Sequence, residues 1–464
     1  MLTPSPVCIR RCGEGRGSRA YSDLITKPGA IKKGGISPSE TDRSVPIVMT
    51  GSLKFPGHLI LLLLLLFAVR CGGAVSEEVT GDAVDSTRKA AELAREILIL
   101  DTHIDTPDRL RGEMEDISRL SRSGEFDYDR ARQGGLDAAF MAIYVPAEYQ
   151  QGGARALADT LIDLVASWEE SWPDRFVAVD SPDQVEIHFG SGRVALALGI
   201  ENGAAIEDDL RLLAHFYSRG VRYITLAHGK ANLICDSSYD SERPWGGLSP
   251  FGREVVREMN ELGMMVDVSH VSDDAFFQVL EVSEAPVIAS HSSCRRFTPG
   301  WERNLSDDMI QALAERGGVI QINFGGSFLN DEYRLSAAPR YAKFADFLRV
   351  SGLGENDQRA RAFRDDLRRQ YPVPRVTVAD VADHIDHVVR LAGIDHVGLG
   401  SDFDGVGGEL PVDLRDVSQY PNLIRELLAR GYSEDDLRKI CSGNLLRVWR
   451  EVERLANNAV QAEE

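Results

Sequence analysis

Asp101-Thr-His103-Ile-Asp105 closes an apolar run, Ile97-Leu98-Ile99-Leu100, and brings an imidazole and two carboxylates together. If the run is a strand, His103 and Asp105, two apart, project to one side and can converge on one cation. A lone His-x-Asp carries little weight. This one gains weight because similar residues end other strand-like runs downstream. Glu201 ends the run in Gly199-Ile-Glu201-Asn-Gly, and His228 that in Leu226-Ala-His228-Gly. His270 ends Val266-Asp-Val-Ser-His270, and His291 ends Ile288-Ala-Ser-His291. Asp402 follows in Leu399-Gly-Ser-Asp402-Phe-Asp404-Gly. Four of the chain's ten histidines thus stand at such ends.

The ligand types select the chemistry. Imidazole with carboxylate, and no Cys-x-x-Cys, suits Zn²⁺ or another first-row divalent ion. Four or five ligands exceed what one catalytic zinc with an open position uses. Glu201 has two oxygens with which to bridge two ions. Two metals holding a hydroxide between them supply a nucleophile at neutral pH. The residues alone therefore indicate a binuclear metallohydrolase. Other candidates receive plainer readings. His384-Ile-Asp386-His387 lies in a helical run, 378–391, and is read as packing or surface. His396 precedes the last strand, at the wrong end. His188 and His215 fall in a loop-like stretch and a helix. Asp267 is read as a structural polar group inside its strand, and Asp404 as a loop hydrogen-bonder. His228 is a functional candidate because of its place at a strand end.

Eight strand candidates must position these groups: 97–103, 136–144, 194–201, 222–228, 264–270, 286–291, 318–324 and 396–402. Each is short and apolar at consecutive positions, as strands buried on both faces of a parallel sheet are. Helical stretches lie between them. Residues 86–97 are amphipathic, and Ser249, Ser272 and Ser306 stand where capping hydroxyls precede apolar periods. Eight strands alternating with helices is the count of a (β/α)₈ TIM-type barrel. An open doubly wound sheet would place a Gly-rich phosphate turn after strand one. This chain has Thr102-His-Ile-Asp-Thr-Pro107 there. In a barrel every strand's C-terminal end shares one face, where active sites lie. The gaps 145–193 and 325–377 are too long for one helix each. They are read as insertions over that C-terminal face, as a lid or an oligomer contact.

The chain has 464 residues, 43% hydrophobic and 27% charged, which fits a globular protein. Its net charge of −20 disfavours nucleic acid and anionic membrane surfaces as partners. Residues 1–48, rich in Gly, Ser, Pro and Arg, are read as a non-native or disordered leader, with Met49 as the start. Residues 49–74, with the apolar run 59–69, are read as a signal peptide. Residues 75–464 then form a single domain of an exported protein, periplasmic or extracellular. Cys71 raises lipoprotein anchoring, and Arg70 before it argues against that. The polar end, 457–464, carries no glycolipid-anchor signal. Of six cysteines, only Cys235, Cys294 and Cys441 would survive export. They form no disulfide scaffold, and one internal pair or an intermolecular bridge both stay open.

Taken together, Asp101-x-His103-x-Asp105, Gly199-Ile-Glu201, Arg222-Tyr-Ile-Thr-Leu-Ala-His228, Val266-Asp-Val-Ser-His270, Val287-Ile-Ala-Ser-His291-Ser-Ser and Val397-Gly-Leu-Gly-Ser-Asp402-Phe-Asp-Gly405 resemble the membrane (renal-type) dipeptidases. The resemblance spans about residues 95–455 in the expected order. It implies two Zn²⁺ per chain: His103 and Asp105 on one, His270 and His291 on the other, Glu201 bridging. It implies that His228 stabilises the oxyanion. Asp402 would carry a proton from the bridging water to the leaving amine. An Arg-Asn pair, here Arg303-Asn304, would hold the substrate's carboxylate. The pair lies one residue farther from His291 than the family spacing, so Arg295 and Arg296 are rivals. The expected protein is a zinc-dependent dipeptidase that hydrolyses free dipeptides through a metal-bridging hydroxide. The alternatives are a related barrel amidohydrolase acting on another amide, ester or lactam, and a silent binding protein. Expected partners are a small dipeptide, no nucleic acid, a membrane only through the N-terminal segment, and at most a second copy in a homodimer.

Overall fold

The strands are β1 (Ile99–Ile104), β2 (Leu136–Tyr144), β3 (Phe176–Ala178), β4 (Val194–Glu201), β5 (Val221–Thr225), β6 (Met265–Asp267), β7 (Ile288–Ser292), β8 (Val319–Ile322) and β9 (Val397–Leu399). They belong to a computed structural model that describes residues 81–112, 114–354 and 357–463. The leader and signal-peptide expectations, with Cys8, Cys12 and Cys71, lie outside the described residues. All the strand pairs are parallel, in the order β1-β2-β4-β5-β6-β7-β8-β9, with β3 added beside β4. The chain after β9 then returns to β1. Asp402 N donates to His103 O at 3.0 Å, and Asp105 N donates to Phe403 O at 2.8 Å. This closes an eight-stranded (β/α)₈ barrel, and it does so at the residues singled out for chemistry.

Alternation along the strands builds two apolar layers. Ala138, Phe140, Ala195, Ala197, Tyr223, Met265, Ile288 and Val319 face inward as one cluster. Ala139, Met141, Leu196, Ile200 and Ile224 face outward against the helices. Small and large inward residues interlock. A Cβ on Gly199 would lie 2.0 Å from the Tyr223 ring, so the missing side chain is what admits that ring. The last helix, Asn444–Glu463, adds Leu445, Leu446, Val448, Trp449 and Val452 to the inner cluster. It closes the floor where strands begin, since Asn444 donates to Ile394 O and Val397 O.

The three expected caps form. Ser249, Ser272 and Ser306 accept from Gly252 N, Ala275 N and Met309 N, opening helices Pro250–Leu262, Asp273–Val282 and Asp307–Glu315. β2 and β4 have the expected bounds, and other strands are shorter than their apolar runs. β5, β6 and β9 stop before His228, His270 and Asp402. His270 and Asp402 have φ of 69° and 63°, which takes the backbone out of the ladder. β3 was not expected, being three residues long and next to the turn Trp172-Pro-Asp-Arg.

The first long gap holds the helix Ala154–Ser171. The second holds Asp331–Ser351 and Gln358–Gln370. Tyr341 donates to Glu409 at 2.5 Å and Arg340 pairs with it at 3.1 Å. Arg368 donates to Gly407 O. The insertion thus braces the loop that carries Asp402. Cys235, Cys294 and Cys441 are free and buried, so no disulfide joins them. Among the described residues, no helix is long and apolar enough to cross a membrane.

Candidate metal centre

β1 shifts register between Asp101 and Ile104, so its side chains do not alternate strictly there. Thr102 and His103, consecutive residues, both reach inner partners: Ser290 O and Leu399 O for Thr102, the Tyr223 hydroxyl for His103. Asp101 accepts from His103 N and Ser401 N, each at 3.0 Å, and from the Tyr420 hydroxyl. It therefore holds the seam and is not part of the cluster.

Glu201, at the end of β4, is the hub. Its Oε2 lies 3.6 Å from His103 Nε2. Its Oε1 lies 3.0 Å from His270 Nε2, 3.2 Å from His291 Nε2 and 3.6 Å from His228 Nε2. Asp105 Oδ2 is 3.4 Å from His103 Nε2. Three groups each gather potential ligand atoms within 4.8 Å: His103, Glu201 and His291; Glu201, His228 and His270; His103, Asp105 and Asp402. The structure thus brings together every ligand expected from the sequence, with His228 and Asp402 beside them.

The residues fit a metal on their own chemistry. His103 Nε2 is buried without a hydrogen-bond partner. The Nε2 atoms of His270 and His291 are 2.7 Å apart, a contact that a cation between such donors would explain. Burial, followed by the nearby Arg303 and His228, holds the His270 imidazole well below its usual pKa. Burial, then His103, does the same for His291. Both are neutral and keep a lone pair for coordination. Burial pushes the Glu201 carboxyl up, but His228, His103 and His270 outweigh it and keep it ionised. Burial raises the Asp402 carboxyl, with Glu201 adding to the rise and His103 opposing it. A Cβ on Gly405 would stand 2.1 Å from Asp402 Oδ1 and 2.3 Å from Asp105 Oδ2. The two carboxylates occupy the space that glycine leaves.

Arg303 lies at the same site, 1% exposed. It donates to Ser292 Oγ and His291 O at 2.7 Å, and its Nη2 is 3.0 Å from His270 Nε2. Its Nε has no partner. Of the rivals, Arg295 is committed to Asp273 at 2.6 Å, and Arg296 is exposed. The plainer histidines are satisfied elsewhere. His384 Nδ1 accepts from Cys294 N, and its Nε2 is 3.1 Å from Leu329 O. His387 pairs with Asp307, His215 with Asp159, and His396 with Gly318 O. His188 Nδ1 lies 3.0 Å from Arg193. Sequence reasoning missed Asn323, which donates to Asp402 Oδ2 at 2.7 Å. Its signal was an amide within the seventh run, one residue past the end of β8, where no ligand was sought. Tyr223 and Ser290, which contact His103 and His291, were hidden inside strands.

A parallel barrel with imidazoles and carboxylates gathered at the strands' C-terminal face defines a metal-dependent hydrolase. The profile of the membrane dipeptidases, peptidase family M19, matches residues 87–463. The chain is 33% identical over 381 residues to dipeptidase 3 of Mus musculus, covering 80% of this chain and 68% of the mouse protein. Its fold matches the crystal structure of the probable dipeptidase PvdM from Pseudomonas aeruginosa with a TM-score of 0.70 and 29% identity, covering 80% of this chain and 99% of that one. It also matches a metallopeptidase from Rhodobacter sphaeroides bound to a phosphinate mimic of L-Ala-D-Ala, with a TM-score of 0.61 and 25% identity over 77% of this chain and 99% of that one. The chain belongs to the membrane dipeptidase family and is a metallo-dipeptidase, a hydrolase of peptide bonds.

Proposed function

We propose that this chain is a zinc-dependent dipeptidase that cleaves free dipeptides with two ions sharing Glu201. One observation carries the reading: the two Glu201 oxygens face different imidazoles, Oε2 towards His103 and Oε1 towards His270 and His291. Two zinc ions, when bound, would supply Lewis acidity and a water acidic enough to attack at neutral pH. His103 and Asp105 would hold one, His270 and His291 the other.

The chain's own residues do the rest. The Arg303 guanidinium, seated beside His270, offers a fork for the substrate's C-terminal carboxylate. That anchor restricts the substrate to a dipeptide, because a third residue would displace the carboxylate. His228, neutral through burial, donates an N–H to the carbonyl oxygen as it gains charge. Asn323 occupies Asp402 Oδ2, which leaves Oδ1 to take the proton from the attacking water. Asp402 then delivers it to the leaving amine nitrogen. The Rhodobacter sphaeroides neighbour holds a mimic of a free dipeptide, which supports this substrate class.

Metal analysis paired with a peptide panel tests the reading. Two zinc ions per chain and cleavage of dipeptides but not tripeptides are expected. Arg303→Met should raise KM about 10- to 100-fold with kcat less affected, the scale of hydrogen bonds to a charged group. Unchanged kinetics would favour an amidohydrolase that needs no carboxylate anchor. The same proposal includes export directed by residues 49–74, supported by the apolar run 59–69. N-terminal sequencing of the mature protein checks it, and a mature chain that begins before Met49 contradicts it.

A further inference from the structure

We propose that Tyr223 and Ser290 are positioning residues that fix the tautomers of His103 and His291, so that each presents a bare Nε2 to the metal centre. The inference rests on the reading of those two histidines as ligands. Each hydroxyl has one to give, and each gives it to an oxygen that can only accept.

Tyr223 lies inside the barrel in the space left by Gly199, and its hydroxyl donates to Thr102 O at 3.0 Å. The same oxygen is 2.9 Å from His103 Nδ1. With its proton spent on a carbonyl, the phenol oxygen can only accept there. His103 Nδ1 must therefore carry the hydrogen, which leaves Nε2 as the nitrogen that can turn a lone pair to a metal. Ser290 repeats the logic on β7. Its Oγ donates to Asp267 Oδ2 at 2.6 Å and lies 2.7 Å from His291 Nδ1. Asp267 is fixed in turn by Ser290 N at 2.8 Å, Ser269 N at 3.0 Å and the Thr225 hydroxyl. Its carboxylate cannot hand a proton back, so His291 Nδ1 is the donor to Ser290. Asp267 thus has a use beyond structural polarity, at the end of a Ser290 relay. His270 differs, because its buried Nδ1 has no partner. Two of the three histidine ligands are locked, each by a hydroxyl from a different strand. Outer partners of this kind typically change metal affinity 10- to 100-fold.

The experiment compares wild-type full chain with Tyr223→Phe, Ser290→Ala and Ser290→Thr. Zinc affinity is read by competition with a chromophoric chelator, and histidine nitrogens by ¹⁵N spectra of the zinc-loaded protein. Tyr223→Phe and Ser290→Ala should each weaken one of two zinc ions by about 10- to 100-fold. Ser290→Thr should restore the loss. Wild type should show slowly exchanging Nδ1–H signals for His103 and His291 but not for His270. Tyr223→Phe should lose the His103 signal alone, which a general structural defect would not do. Wild-type affinity in both variants, or metal on Nδ1 in either histidine, overturns the proposal while two-zinc binding by wild type keeps the metal reading. Wild type without zinc binding overturns both. The wild-type spectrum decides the tautomers even if a variant fails to fold.

Discussion

His270, Asp402 and Asp404 hold φ of 69°, 63° and 67°, a region that side-chain-bearing residues seldom occupy. Such conformations cost of order 1–3 kcal/mol each and persist where surrounding bonds over-determine them. Here Asp404 accepts from Thr106 at 2.6 Å, Arg109 at 2.9 Å and Glu125 N at 2.7 Å. The loop after β9 is thereby pinned to the segment that follows Asp105. Glu201→Gln should keep the volume but weaken both halves of the site. We expect metal content to fall and zinc affinity to drop by more than about 100-fold, beyond the outer-partner range. Two tightly bound ions in that variant would remove the bridging role. Gly405→Ala places a methyl against two carboxylates and should cut kcat/KM by about 100-fold, the scale of a 1 Å misplacement. Circular dichroism should show the fold unchanged in that variant.

Elements act through their ends. The helices Asp331–Ser351 and Gln358–Gln370 meet the loop after β9 chiefly at Glu409, which is 7% exposed. Removing that carboxylate strands Arg340, itself 6% exposed, without its counter-ion. Breaking a buried pair from one side costs about 3–5 kcal/mol. Glu409→Ala should therefore lower the urea midpoint, and limited proteolysis should cut first within 331–370. A variant as resistant as wild type would show that the insertion holds by other contacts. At the opposite end, Trp449 fills the barrel floor against Phe140 at a centroid distance of 5.1 Å. Trp449→Ala should cost about 3–5 kcal/mol by urea unfolding, with zinc content unchanged.

At the scale of the molecule, charge burial links stability to pH. Asp137, at the start of β2, is raised to about 6 by burial, which outweighs the Ile99 N–H and Arg132. Because its folded value exceeds the unfolded one, it favours the native state at low pH, and that advantage fades as pH rises through about 6. Asp137→Asn should therefore stabilise the metal-free protein at pH 8 by roughly 2–3 kcal/mol more than at pH 4. Equal gains at both pH values would show that Asp137 titrates normally.

The barrel and most of the cluster were legible because the signals are local. Apolar runs of strand length alternate with capped helices, and His103, Glu201, His228, His270, His291 and Asp402 each sit where a run ends. The residue types His, Glu and Asp, without clustered Cys, selected a metal centre before any fold was known. Contacts between distant strands were not legible. The β1 register shift turns His103 inward beside Thr102, although strict alternation would have turned it outward. Asn323 meets Asp402 across 79 residues, and Tyr223 meets His103 across 120. Arg303 was one of three cations until packing committed Arg295 to Asp273. Sequence by itself determined which groups could bind metal and which elements would carry them, since periodicity and residue chemistry are properties of neighbours along the chain. Only the closed barrel decided which nitrogen faces the centre, which arginine lies beside it and which hydroxyls hold it, because those depend on neighbours in space.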